Sequence, residues 1–170
     1  MGLTDSGQQT SAQAHARRVR EMFARISPRY DLLNHLLSAN IDTRWRRRVV
    51  RKLQPQLRSD AKILDVGCGT GDLSIELFEK TGAQVTGIDF CRPMLELAQA
   101  KAPHLRFVEG DALRLPFSDG AFDCVTAAFA LRNLASVEQG LAELNRVLKP
   151  GSMVAVLEFS QPTVPGIRQL

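Results

Sequence analysis

Residues 63–72 read Ile63-Leu64-Asp65-Val66-Gly67-Cys68-Gly69-Thr70-Gly71-Asp72, and their reading decides the fold. Ile63 to Val66 make a short apolar strand. Three glycines in five residues follow at once, and from Asp72 to Lys80 the side chains of Leu73, Ile75, Leu77 and Phe78 supply the buried face of a helix. A glycine-rich turn between a first strand and a helix lacks Cβ atoms, so a ligand can approach its backbone closely. The spacing is G-x-G-x-G. It differs from the G-x-G-x-x-G of dinucleotide sites, and the Lys-Ser/Thr end of a phosphate-binding loop is missing. A tight turn that binds nothing is the alternative reading.

Outward from this turn, strands and helices continue. Gln84 to Ile88 reads as a second strand, Pro93 to Lys101 as a helix, and Arg106 to Val108 as a third strand. Phe122 to Phe129 reads as a fourth strand, Val137 to Leu148 as an amphipathic helix, and Met153 to Phe159 as a fifth strand, with Lys149-Pro150-Gly151 as the turn between. Strands alternating with helices predict an α/β fold, a Rossmann-like, doubly wound and mainly parallel sheet covered on both faces. Upstream, Met1 to Gln13 is polar and expected to be flexible. Residues 14–60 read as an N-terminal helical cap, and residues 61–170 as the core of one domain. Within the cap, Val19, Met22, Phe23 and Ile26 share a helical face, and a further helix runs from Thr43 to about Leu53 with Asp42 as its expected N-cap.

The composition is that of a soluble globular chain of 170 residues, 44% hydrophobic and 24% charged. The net charge of +4 divides unevenly, at +7 over residues 1–60 and −3 over residues 61–170. A basic leader suggests an anionic partner: nucleic acid, an acidic lipid surface or an acidic substrate. No apolar run approaches the ~18 residues of a membrane span, and the polar N-terminus lacks a signal-peptide core, so a cytoplasmic location is expected. Cys68, Cys91 and Cys124 form no CxxC pair and have no histidine at ligand spacing. Free thiols and no metal site are expected.

Two acids extend the argument from the glycine turn. Gly87-Ile88-Asp89 ends the second strand in a carboxylate, 18 residues after Gly71. In doubly wound sheets an acid there bonds the ribose hydroxyls of an adenosine, although a helix N-cap would use the same residue type. Glu109-Gly110-Asp111-Ala112 follows the third strand and faces the same crevice. Asp111 can accept from an adenine amino group and Ala112 can offer a backbone N–H, while a loop aspartate held by its own turn is the alternative. Together these sites describe an adenosine ligand without a pyrophosphate cradle. S-adenosylmethionine fits, because Asp65, Asp89 and Asp111 add negative potential near a cationic sulfur.

The sequence resembles the ubiquinone/menaquinone biosynthesis C-methyltransferases, within the class I S-adenosylmethionine-dependent methyltransferases. Leu64 to Leu73 (LDVGCGTGDL) and Gly87 to Leu95 (GIDFCRPML) are shared broadly by methyltransferases. More specific are Met22 to Asn34 (MFARISPRYDLLN), Asp42 to Arg47 (DTRWRR), Leu115 to Asp119 (LPFSD), Phe129 to Asn133 (FALRN) and Leu157 to Pro162 (LEFSQP). The resemblance covers about residues 18–165. It carries cofactor roles onto Thr70, Asp89, Asp111 and Ala112, beside Asp65, Gly67 and Gly69 of the turn. Ala130 replaces the glycine common in FGLRN. Ala128 stands where some relatives have a cofactor-binding serine, and it is left out of the expected site. The family usually continues with another helix and two strands, which look missing here, so the fifth strand is expected to expose an edge and to invite self-association.

The reaction implied is C-methylation of a reduced polyprenyl quinone precursor, with demethylmenaquinol favoured over a benzoquinol. The protein must align the reactants, favour phenolate and exclude water. Arg132, beyond the fourth strand, is the candidate catalytic cation, and a surface salt bridge is its alternative. Tyr30, Asn34 and Asn133 are candidate substrate residues. His35 could act as a base, with a structural role as its alternative, and no general base is assigned. The Arg44–Lys52 helix, with Trp45 among its arginines, can contact an anionic membrane surface. No nucleic-acid partner is expected, because the leader lacks the aromatics of a single-strand platform. Two other function classes stay open: a methyltransferase for another small molecule or RNA, and a cofactor-binding domain without activity.

Overall fold

A computed structural model describes residues 41–158, together with Arg18, Val19, Glu21, Met22 and Arg25. Five parallel strands form one sheet in the order β3-β2-β1-β4-β5. They are β1 (Lys62–Val66), β2 (Gln84–Asp89), β3 (Arg106–Glu109), β4 (Phe122–Ala128) and β5 (Leu148–Leu157). Within residues 41–158 the α-helices are α1 (Ile41–Leu53), α2 (Asp72–Thr81), α3 (Arg92–Lys101) and α4 (Val137–Val147). The chain order reverses at β1, between β2 and β4, which opens a crevice at the carboxyl ends of the central strands. The expected doubly wound parallel sheet is present.

The central strands are buried on both faces, as parallel strands require. Their period of two divides the core. Leu64, Val66, Val125 and Ala127 join Ile88, Leu144 and Val147 on the side covered by α4. Ile63, Val85 and Cys124 join Val50, Leu53, Leu73 and Leu77 on the side covered by α1 and α2. Helix α1 therefore turns its apolar positions onto the sheet. Asp42 is not its N-cap: it lies inside the helix, buried, and pairs with Arg46 at 2.8 Å. Arg46 in turn reaches Asp72 at the start of α2, at 3.2 Å.

The alternation of strand and helix fails once. No helix separates β3 from β4; residues 110–121 cross as a loop. Side chains of α4 take over the backbone groups that a helix would have satisfied. Gln139 Nε2 donates to Leu113 O at 3.0 Å, and Leu115 N donates to Glu143 Oε2 at 2.7 Å. Arg146 donates to Leu115 O at 2.9 Å and to Phe117 O at 2.8 Å. The second difference lies in β5. Pro150-Gly151 sits inside the strand as a bulge: Phe122 pairs with Leu148, yet Cys124 pairs with Met153. Among the described residues β5 has β4 as its one strand partner, and Val154 and Val156 on it are exposed. No described helix is long and apolar enough to cross a membrane.

Candidate cofactor site

The glycine turn is anchored to the next strand. Gly67 N and Cys68 N both donate to Ile88 O, at 2.8 and 3.1 Å. Gly67 has φ +68°, and a Cβ there would lie 2.4 Å from Ala130 Cβ. Gly69 has φ +54°, and a Cβ there would meet nothing within 4 Å. Both positions favour glycine, for different reasons. At Gly67 the fold fills the space, whereas at Gly69 the space beside the backbone is open.

That open space is bordered by Asp89, which is 8% exposed. Gly69 N donates to Asp89 Oδ2 at 2.9 Å, and Cys91 N donates to Oδ1 at 2.9 Å. The carboxylate is therefore oriented from both sides by backbone amides, and it does not cap α3, whose N-cap is Cys91 with no side-chain cap hydrogen bond.

Gly67, Gly69 and Asp89 line a cavity of about 200 Å³ at the crevice. Asp111, Ala112, Phe129 and Asn133 line it too, with Val66, Ile88, Met94 and Leu134 as apolar walls. Asp111 is exposed, and its Oδ1 accepts from Leu113 N at 2.9 Å, so its own turn fixes it. A larger depression, about 790 Å³, lies between α1 and α2. Its walls are tied by the Arg46–Asp72 pair and by the contact of Arg47 with Glu76 at 4.0 Å. No described cluster of His, Cys, Asp or Glu could hold a metal ion.

Several expected residues stand elsewhere. Asp65 is not on the cavity wall. It is buried beneath the turn, where Ser74 Oγ donates at 2.6 Å and Thr126 Oγ1 at 2.8 Å. Burial pushes its carboxyl up to about 6, against the pull of the two hydroxyl bonds. Thr70 is buried within the turn and does not line the cavity. Arg132 also lies off the wall: its guanidinium pairs with Glu158 and sits 5.4 Å from the Phe129 ring centre. The salt-bridge alternative describes this side chain as it stands. Asn133 does reach the cavity, with its Nδ2 donating to Phe129 O at 3.3 Å. Tyr30 and Asn34 lie outside the described residues. Ala128, left out of the expected site, lines the wall.

Phe129 was not among the expected site residues. It is the one non-glycine residue with positive φ among those described, at +56°, a conformation that bulky residues rarely adopt. Phe129 N donates to Leu157 O at 2.7 Å, and the ring packs against Trp45 with centres 6.2 Å apart. Its position, the first residue past β4 at the crevice, was the available signal.

Strand order, glycine turn and strand-end acid define the fold class of the S-adenosylmethionine-dependent methyltransferases. A solved S-adenosylmethionine-dependent methyltransferase from Aquifex aeolicus shares this fold, with TM-score 0.60 and 23% identity over 68% of this chain and 66% of that one. The chain belongs to the ubiE/COQ5 methyltransferase family, whose profile matches residues 10–170. A demethylmenaquinone methyltransferase of Thermus thermophilus is 53% identical over 83% of this chain, and a ubiquinone/menaquinone biosynthesis C-methyltransferase UbiE of Citrifermentans bemidjiense is 44% identical over 90%. The chain spans 66% and 68% of the lengths of these two relatives.

Proposed function

We propose that the chain binds S-adenosylmethionine at the Gly69–Asp89–Asp111 cavity and methylates a ring carbon of a reduced polyprenyl quinone precursor, demethylmenaquinol being favoured. The observation that carries the reading is the open backbone face of Gly69 beside an oriented Asp89. When bound, S-adenosylmethionine would supply an electrophilic methyl group to an electron-rich ring carbon, the methyl–sulfur bond breaking to release the neutral thioether and the ring carbon losing its proton to regain aromaticity. Asp89 accepts from ribose hydroxyls, and Asp111 from the adenine amine. Ala112 and the apolar walls exclude water from one side of the base. Asn133 and Phe129 border the same cavity and are assigned to the second reactant. Arg132, paired with Glu158, receives no step. The names of the relatives support the substrate class, and a polyprenyl tail implies work at a membrane surface.

Calorimetric titration is expected to show one site for S-adenosylmethionine that NADH does not compete for. Asp89→Asn should weaken it at least ten-fold, within the range of hydrogen bonds to a charged group, about 1.5–3 kcal/mol. Unchanged affinity would remove the ribose assignment. Labelled methyl should pass to demethylmenaquinol; label on RNA instead would overturn the substrate class. The accompanying reading, that the β5 edge pairs with a second copy, predicts a larger sedimenting species at higher concentration. A monomer at every concentration refutes it.

A further inference from the structure

Helix α1 has two unlike sides. Asp42, Arg46, Val50 and Leu53 turn inward, while Arg44, Arg47, Arg48, Arg51 and Lys52 are exposed. At 100° per residue these five cations and Trp45 fall within an arc of about 160°. No acid of the helix shares that arc, because Asp42 is buried opposite and paired with Arg46. Glu76 reaches the rim only, 4.0 Å from Arg47. Among the described residues, a depression of about 510 Å³ on this face is lined by Arg44, Trp45, Arg47, Arg48 and Arg51.

Trp45 connects this face to the site. It is 37% exposed, and its ring packs on that of Phe129, which lines the cavity. One aromatic contact thus separates the basic face from the cavity wall.

We propose that the outer face of α1 docks on the anionic surface of a lipid bilayer and holds the cavity mouth against it. The inference deepens the quinol reading, which it needs for its purpose; the charge pattern stands without it. The apolar side of α1 is already used on the sheet, with Val50 and Leu53 in the core beside Ile63 and Leu77. Docking is therefore electrostatic, unlike the insertion of an amphipathic helix, and salt screens it over about 8 Å at physiological strength. Nucleic acid fits less well, because single-strand platforms stack bases on several aromatics and this face has one, already packed on Phe129.

The test is flotation of the whole chain with vesicles of phosphatidylcholine, with and without phosphatidylglycerol. Wild type should float with the anionic vesicles alone and be released by high salt. Each basic residue near such a surface contributes on the order of a five-fold gain, so Arg44→Glu with Arg48→Glu should weaken binding by roughly twenty-five-fold or more. Cofactor titration of the double variant should match wild type, which keeps failure of docking separate from failure of the site. Arg58→Glu, an exposed charge reversal off this face and paired with Asp60, should bind like wild type. Trp45 is the chain's single tryptophan, so its emission should shift to the blue on anionic vesicles. Equal flotation with neutral vesicles, undiminished binding of the double variant, binding without an emission shift, or preference for RNA at the same salt would each overturn the proposal. Loss of methyl transfer with vesicle binding intact would count against the quinol reading alone.

Discussion

Replacing Asp65 by asparagine tests whether this carboxylate is held under the glycine turn against its ionisation. Asp65 is 1% exposed, and burial lifts its pKa from 3.8 to about 6; the Ser74 and Thr126 hydroxyl bonds oppose the lift, and Asp89 adds to it. A carboxyl with a higher pKa in the fold than in the unfolded chain binds its proton more tightly when folded. Its contribution to stability is fully present below about pH 4 and is lost as pH rises through about 6. At 1.36 kcal/mol per pKa unit the whole swing is about 3 kcal/mol, of which about 2 kcal/mol falls between about pH 4.5 and about pH 8. Asparagine is neutral throughout and lacks this slope. Urea unfolding of both proteins, followed by circular dichroism at several pH values, removes every titration they share. The stability of wild type relative to Asp65→Asn should fall by about 2 kcal/mol across that interval. A difference constant to within about 0.5 kcal/mol would show that Asp65 titrates as an ordinary carboxyl. A rise of wild type relative to the variant would show that the hydroxyl bonds outweigh burial.

Two of the three left-handed glycines of the turn, Gly67 and Gly69, should respond differently. Gly69→Ala meets open space, so its fold should lose only the ~1–2 kcal/mol of a left-handed alanine while cofactor binding weakens. Gly67→Ala adds the collision with Ala130 and should lose a further ~1–3 kcal/mol in thermal unfolding; the reverse ranking would refute this account of the turn. Arg146→Met should free Leu115 O and Phe117 O, raise amide exchange across residues 113–119, and weaken the cofactor several-fold through the Asp111–Ala112 wall. Faster exchange with unchanged affinity would show that the wall stands without Arg146.

The sheet was legible because local pattern and tertiary role agree there. Ile63 to Val66 is apolar on both faces, and a strand between two parallel neighbours must be; the observed β1 adds only Lys62. The crossing from β3 to β4 was less legible. Its residues show no helical period, and what holds them are α4 side chains some thirty positions away, such as Arg146 on Leu115 O. The bulge in β5 escaped for a related reason. Pro150-Gly151 is turn chemistry wherever it occurs, and only the pairing of Phe122 and Cys124 across β4 shows the strand running on through it.

The site divides along the same line. Sequence treats Asp65 and Asp89 alike, as acids at the ends of apolar strands. The parallel register separates them: Asp65 stands opposite Gly87, so Asp89 lies two residues further toward the crevice. That shift leaves Asp65 level with Thr126 inside the sheet and brings Asp89 level with the glycine turn, where Gly69 N can reach it. Arg132 and Asn133 show the same sensitivity. They are consecutive in a short 3-10 turn, yet Asn133 lines the cavity and Arg132 points to Glu158 at the end of β5. Composition and spacing can propose an acid or a cation for a crevice. Which side of the wall it occupies is decided by register and by a partner from another strand.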